Sequence, residues 1–260
     1  LSGYKSISIE DIKKFRQLGS ICAGHPEYKK GTGIETTTGP LGQGLGNAVG
    51  MAIAEEILKK KFGSGVINNK TYVIASDGDL MEGISHESMS LAGHLKLKNL
   101  IVFFDNNKIS IDGSTSLSVS DNYKKRFESY GWNFLEINGH NEKQISKAIS
   151  KASKSNKPTL ISCKTVIGFG SPNKSGKASS HGSPLGDDEI TLVRKKLKWN
   201  NKPFETPQEI LDEWKKIGDK GEQLEKIWQD SINKKNPKLK FELEKNYINS
   251  NLNDLEQLIE

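Results

Sequence analysis

TYVIASDGDLMEGISHESMSLAGHLKLKNLIVFFDNNKISIDG, residues 71–113, is the stretch whose reading decides the fold. Its two apolar segments, residues 72–75 and 100–104, are too short for helices and rich in Val, Ile and Phe, so they read as buried parallel strands. Residues 82–95 between them read as the crossover helix. Each strand runs into oxygen-bearing side chains: Asp77, followed by Gly78, after the first, and Asp105, Asn106 and Asn107 after the second. A βαβ unit in an open α/β sheet brings the carboxyl ends of its strands to one edge, where ligands bind. A carboxylate and an amide placed there can share one hard cation, and Mg2+ is usually held by one or two protein oxygens plus the phosphates of its ligand. Gly78 is expected to turn the backbone sharply and to offer its N–H to a phosphate at the following helix start. The same residues also suit plain turns after strands, and spacing alone leaves the two readings level. An EF-hand is excluded, because the fifth position counted from Asp77 is Met81, which has no oxygen.

Working outward, 260 residues suffice for one or two cores, and 34% hydrophobic residues is lean but globular. No apolar run approaches the ~20 residues of a spanning helix, so no membrane role is expected. Cys22 and Cys163 stand far apart without a metal or secreted-type pattern, which favours ordinary thiols in a reducing, cytoplasmic setting. The chain begins at Leu1 rather than Met, so a targeting segment stays open. The net charge of +6 is uneven: residues 201–260 hold 10 Lys against 13 acids, leaving 28 basic and 19 acidic residues, or +9, in the first 200. That excess suits anionic ligands, although scattered Lys on solvated faces account for most of it. No basic stripe with interleaved aromatics accompanies it, so no nucleic-acid partner is expected.

From the start, Ser8 reads as a helix cap, with Ile9, Ile12, Phe15 and Leu18 at helical spacing after it. His25 lies in a Gly-His-Pro-Glu loop, where chemistry alone favours an ordinary surface histidine. GIETTTGPLGQGLGNAVG, residues 33–50, is a glycine-rich loop feeding a helix over residues 45–62. A dinucleotide fingerprint fails there: Asn47 breaks the glycine spacing and no apolar strand precedes the loop. A phosphate-binding Walker sequence fails as well, since Gly176-Lys177 is followed by Ala178. Residues 132–137 and 159–164 read as further strands, with a helix capped by Asn141 between them. The alternation predicts an α/β fold, one parallel sheet with helices on both faces. Residues 168–186, GFGSPNKSGKASSHGSPLG, form a long loop with one neutral-pH proton carrier, His181. Thr206-Pro207-Gln208-Glu209 is a strong helix start, and the Lys, Glu and Asn-rich remainder reads as helical.

Asp77-Gly78 with Asn107 thirty positions later resembles the thiamine diphosphate motif that begins GDG and ends in Asn, with Ser76 in place of the first Gly. The flanking MEGISHE and SIDG, the TTTGPLGQG loop, the GHPE loop and the GFGSPN and SHG-PLG pieces resemble transketolases in particular. The likeness covers residues 1–217 well and the rest loosely. It implies the thiamine diphosphate-binding fold over residues 1–200, its N-terminal part missing, and a helical linker over residues 201–260 toward an absent pyrimidine-binding domain. It implies transfer of a two-carbon ketol unit between sugar phosphates of the pentose phosphate pathway, such as xylulose 5-phosphate and ribose 5-phosphate, with thiamine diphosphate and Mg2+ or Ca2+. By matching positions, Asp77, Asn107 and the carbonyl of Ile109 ligate the metal, Gly78 holds the diphosphate, Gly39 and Leu41 meet the aminopyrimidine, and Ile111 packs on the cofactor. Glu82 belongs to an acid network at the interface of a homodimer whose active sites lie between subunits. His25 and His181 guide substrate hydroxyls and protons, and His181 also approaches the diphosphate.

By the same likeness, two active-site histidines lie upstream of Leu1 and the glutamate that activates the cofactor lies beyond Glu260. The chain is therefore expected to be a fragment of a longer enzyme or of a multi-chain assembly, inactive by itself. Other readings stay open at this stage: a dihydroxyacetone synthase relative, a 2-oxo acid dehydrogenase component, which would lack the SIDG and SHG-PLG text, and a non-catalytic binding or interaction domain.

Overall fold

The computed structural model describes residues 3–235 and Glu242. In chain order the helices are α1 (Ile9–Lys13), α2 (Gln43–Phe62), α3 (Asp77–Met81), α4 (Gly83–His94), α5 (Tyr123–Ser129), α6 (Glu142–Ala152), α7 (Asp187–Lys196) and α8 (Gln208–Lys235). The strands are β1 (Thr71–Ser76), β2 (Leu100–Asn106), β3 (Asn133–Asn138) and β4 (Thr159–Lys164). Two compact units emerge: a larger one from Ser6–Glu56 and Asn69–Glu205, and a smaller one from Leu1–Lys5, Ile57–Asn68 and Thr206–Glu260.

The larger unit holds one sheet, all parallel, in the order β1-β2-β4-β3. Successive side chains of a strand point to opposite faces, so the near-continuous apolar run of β2 buries both. Val102 and Phe104 join a cluster with Leu45, Ala48, Val49 and Ala52 of α2, Met89 and Ala92 of α4, and Phe127 of α5. On the other face Ile101 and Ile161 pack with Ala148 and Ala152 of α6. Phe104 and Phe127 are fully buried, and truncating either to Ala should cost about 3–5 kcal/mol. The doubly covered parallel sheet is the architecture expected. β1 stands at its edge and is covered differently: Ala75 is buried, but Tyr72 and Ile74 are 52% and 82% exposed.

Register is what positions the site. Ser76 at the end of β1 pairs with Asp105 of β2, which pairs in turn with Cys163 of β4. The carboxyl ends of three strands thus lie side by side, with Asp77 and Asn107 just beyond them.

Two local expectations are corrected. The periodicity from Ile9 to Leu18 does not make one helix. Ser8 does cap α1 in a reciprocal box with Asp11, but the helix stops at Lys13. Arg16 adopts φ 62° and donates its N–H to the carbonyl of Cys22 at 2.8 Å. Ile9, Ile12, Phe15 and Leu18 are all exposed, so no buried face existed to sustain the helix. The crossover is also divided: extended backbone at Glu82 (φ −66°, ψ 142°) separates the short α3 from α4.

In the smaller unit α8 begins directly after Thr206-Pro207, and the carbonyl of Pro207 accepts from the N–H groups of Ile210 and Leu211. The helix runs unbroken to Lys235. Trp228 donates its indole N–H to the carbonyl of Val66 at 2.8 Å, and buried Ile232 packs with Val66 and Ile67. The helices expected beyond Lys235 lie outside the described residues, Glu242 apart. No helix among the described residues is long and apolar enough to cross a membrane.

Candidate functional site

The turn after β1 is built by a reciprocal cap. Ser76 ends the strand at φ −96°, and its hydroxyl accepts from the N–H of Asp79 while the Asp79 carboxylate accepts from the Ser76 N–H at 2.8 Å. The hydroxyl also donates to the same carboxylate oxygen at 2.7 Å. No left-handed backbone is needed, which is why serine serves where the related motif has glycine. Gly78 also differs from expectation. It lies inside α3 without a positive φ, and a Cβ there would sit 3.0 Å from Cδ1 of Leu41, a close approach that the leucine would have to relieve by a small shift.

Asp77 is 2% exposed. Its Oδ2 accepts from the N–H of Lys108 at 3.2 Å, and the N–H of Asn107 also faces the carboxylate. Lys108 is held at φ 61°, a conformation uncommon outside glycine and Asn that recurs at functional sites. Burial outweighs these donors, and with the negative Asp105 nearby it pushes the Asp77 carboxyl up to about 6. Asn107 stands beside it: its Oδ1 accepts from the N–H of Ile109 at 2.9 Å, and its Nδ2 donates to Asp105 at 3.1 Å. Among the described residues no donor reaches the carbonyl of Ile109; the loop closes around it through Thr115 N–H to Lys108 O and Ser110 N–H to Gly113 O.

These observations fit a divalent cation held with a diphosphate. A buried, under-served carboxylate, an amide oxygen with a lone pair to spare and an undonated carbonyl form the all-oxygen set that Mg2+ and Ca2+ take. No group of three or more His, Cys, Asp or Glu residues forms a metal site among the described residues, consistent with a set that contains a single carboxylate.

The other expected residues fall into two groups. His25, Gly39 and Leu41 line one cavity of about 230 Å3 that also reaches Thr38 and Asp79, and a Cβ on Gly39 would lie 3.2 Å from the His25 ring. Gly42, at φ 79°, donates its N–H to Oδ1 of Asp79 at 2.9 Å. That bond joins the glycine loop to the turn carrying Asp77 and Gly78. Leu41 and Ile111 expose apolar side chains, 51% and 72%, and Glu82 is exposed where α3 hands over to α4. His181 follows a 3-10 turn over Ala178–Ser180; among the described residues no hydrogen bond or ion pair joins it to Asp77 or Asn107. Its loop is pinned by buried Glu189 of α7, which accepts from the hydroxyl of Ser171 and from both the N–H and the side chain of Asn173 at 2.8 and 2.9 Å. Those bonds hold the Glu189 carboxyl down at about 2.

Two residues of this region, Asp79 and Asp105, are given no site role by the sequence. Asp79 had a signal, the Ser-x-x-acid spacing of a capping box from Ser76. Asp105 had none beyond its place at a strand end.

With this geometry in place, comparison with known proteins assigns the lineage. The family described as "Transketolase, thiamine diphosphate binding domain" matches residues 1–252. A transketolase from Buchnera aphidicola is 54% identical over 237 residues, 89% of this chain and 35% of its own length. The chain thus spans about a third of the length of the curated relatives it matches. The solved transketolase of Campylobacter jejuni superposes with a TM-score of 0.91 at 42% identity, covering 97% of this chain and 39% of that one. A Pichia stipitis transketolase solved in complex with sedoheptulose-7-phosphate gives 0.87 at 41% identity, covering 94% and 37%. The chain belongs to the transketolase thiamine diphosphate-binding domain family.

Proposed function

We propose that this chain is the cofactor-binding part of a transketolase, transferring a two-carbon ketol unit from a ketose phosphate such as xylulose 5-phosphate to an aldose phosphate such as ribose 5-phosphate, within the pentose phosphate pathway. The observation that carries this reading is the meeting of Asp77 and Asn107 at one sheet edge, where the Asp77 carboxylate accepts from the backbone of the Asn107–Lys108 turn. Thiamine diphosphate, when bound, supplies the carbanion chemistry. The chain's own residues hold and orient. Asp77, Asn107 and the Ile109 carbonyl take Mg2+ or Ca2+, and Gly78 offers its N–H to the diphosphate. Gly39 and Leu41 meet the aminopyrimidine, while exposed Ile111 covers apolar cofactor surface. His25 and His181 bind substrate hydroxyls and exchange protons with them. The Pichia relative solved with sedoheptulose-7-phosphate supports a ketose phosphate as substrate, and the +9 charge of residues 1–200 suits anionic sugars.

In this reading residues 1–200 are the diphosphate-binding domain and residues 201–260 lead toward a pyrimidine-binding domain, carried on the same or another polypeptide. Two such assemblies pair as a homodimer, with Glu82 at the interface. The cytoplasm is the compartment, in keeping with the free thiols of Cys22 and Cys163. The test is a ketol-transfer assay with xylulose 5-phosphate and ribose 5-phosphate. The chain alone should be inactive, and adding a pyrimidine-binding domain should restore turnover that depends on thiamine diphosphate and Mg2+. Preference for formaldehyde as acceptor would redirect the assignment to a dihydroxyacetone synthase relative. No calorimetric binding of thiamine diphosphate with Mg2+, even with that domain supplied, would defeat it.

A further inference from the structure

Resting on the metal site just proposed, we infer that Asp105 is a positioning residue that fixes which end of the Asn107 amide meets the cation. The Asn107 side chain has two neighbours of opposite character. Its Nδ2 donates to Oδ2 of Asp105 at 3.1 Å, and its Oδ1 accepts from the backbone N–H of Ile109 at 2.9 Å. A carboxylate can only accept and a backbone N–H can only donate. Turning the amide over would set oxygen against oxygen and N–H against N–H, so both neighbours select one setting. Without that selection the amide can present NH2 to a metal that binds only oxygen.

Asp105 is itself held. Its other oxygen accepts a close hydrogen bond from the hydroxyl of Thr165, just beyond β4, and its backbone is locked between Ser76 of β1 and Cys163 of β4. The order of donation is therefore Thr165 to Asp105, Asn107 to Asp105, and Ile109 to Asn107. Outer partners of this kind orient metal ligands, and removing one typically weakens metal binding about 10–100-fold. Asp105 also adds negative charge near the site, so orientation has to be separated from charge.

Two variants make that separation. Asp105→Asn removes the charge and the unambiguous acceptor, whereas Thr165→Val keeps the charge and frees the carboxylate to rotate. Mg2+ and then Ca2+ are titrated calorimetrically into each protein, supplied with a pyrimidine-binding domain and saturating thiamine diphosphate, and melting points are taken without metal. Asp105→Asn should weaken Mg2+ binding about 10–100-fold and Thr165→Val several-fold in the same direction. Ca2+, which tolerates irregular ligand shells, should lose less than Mg2+, which demands a near-ideal octahedron. Metal-free melting of Thr165→Val should stay close to that of the unaltered protein. Wild-type Mg2+ affinity in both variants would overturn the inference. Equal losses for Mg2+ and Ca2+ in Asp105→Asn, with Thr165→Val unaffected, would also overturn it, leaving only charge. Should Asp105→Asn fail to fold, Thr165→Val decides alone through its Mg2+ to Ca2+ ratio. If the unaltered chain with that domain supplied binds neither ion, the metal site falls and this inference with it, a result distinct from normal binding with unaffected variants.

Discussion

Asp77 and Glu189 are both carboxylates with little surface exposed, 2% and 6%, and the protein treats them in opposite ways. Glu189 receives three donors, from Ser171 and Asn173, and its pKa falls to about 2. Asp77 receives backbone N–H groups only, against full burial and a neighbouring Asp105, and its pKa rises to about 6. Burial is the leading influence on Asp77, whereas at Glu189 the three donors outweigh it, so depth and donors together separate the two acids. An acid fully served by its own fold is a fastener, here for the loop that carries His181. An acid buried with too few donors calls for a cation from outside.

The sharpest way to break this contrast is Asp77→Asn. Losing the only carboxylate of the proposed ligand set should reduce Mg2+ affinity in the presence of thiamine diphosphate at least ~100-fold, read by calorimetry. The same change should stabilise the metal-free chain near pH 7.5. A folded-state pKa of about 6 against 3.8 means the native state holds its proton more tightly than the unfolded chain. The associated stability is present below pH 3.8 and lost as pH rises through about 6. At one pKa unit per ~1.4 kcal/mol, the neutral-pH penalty that Asn removes is on the order of 2–3 kcal/mol. The melting-point gap should therefore open between about pH 4 and 6, stay constant above pH 6 and close below pH 4. A lower melting point for Asp77→Asn at pH 7.5 would refute the account of Asp77.

Glu189→Gln should act in the reverse sense. Glutamine keeps one acceptor but turns an NH2 toward groups that donate, so the melting temperature should fall by several degrees at pH 7. The depressed pKa makes this stability present above pH 4.5 and lost as pH falls through about 2. The gap between Glu189→Gln and the unaltered protein should accordingly be constant from pH 7 to 5 and close below pH 4. Because Glu189 fastens a loop and does not ligate, Mg2+ affinity should change less than about threefold. A loss comparable to that of Asp77→Asn would erase the distinction between the two acids.

The parts that sequence made legible are those governed by local pattern. Val and Ile runs ending in Asp77 and in Asn107 marked two parallel strands and their shared edge, because burial of both faces of β2 is written in its continuous apolar run. The capping box of Ser8 was equally local. What escaped depends on residues far apart in the chain. Gly78 packs closely under Leu41, 37 positions earlier, and Asp105 is steadied by Thr165, 60 positions later. The failed helix after α1 teaches the converse: Ile9, Ile12, Phe15 and Leu18 have helical spacing, but with nothing to pack against the periodicity has no effect.

A third acid tests the comparison most finely. Asp79 lies two residues from Asp77, yet it is served as Glu189 is, accepting from the N–H and hydroxyl of Ser76 and from the N–H of Gly42. It should behave as a fastener despite its address. Ser76→Ala strips the capping hydroxyl, leaving the Asp79 N–H without its acceptor and the Asp79 carboxylate with one donor fewer; loss of such a cap costs about 1 kcal/mol. Ser76→Gly, the residue of the related motif, should cost only a few tenths of a kcal/mol, as glycine is nearly as good a cap. Chemical denaturation of both variants should give that order, with Mg2+ affinity little changed in either. If Ser76→Ala instead lost metal binding while keeping its stability, Asp79 would belong with Asp77, and the donor count would no longer separate ligand from fastener.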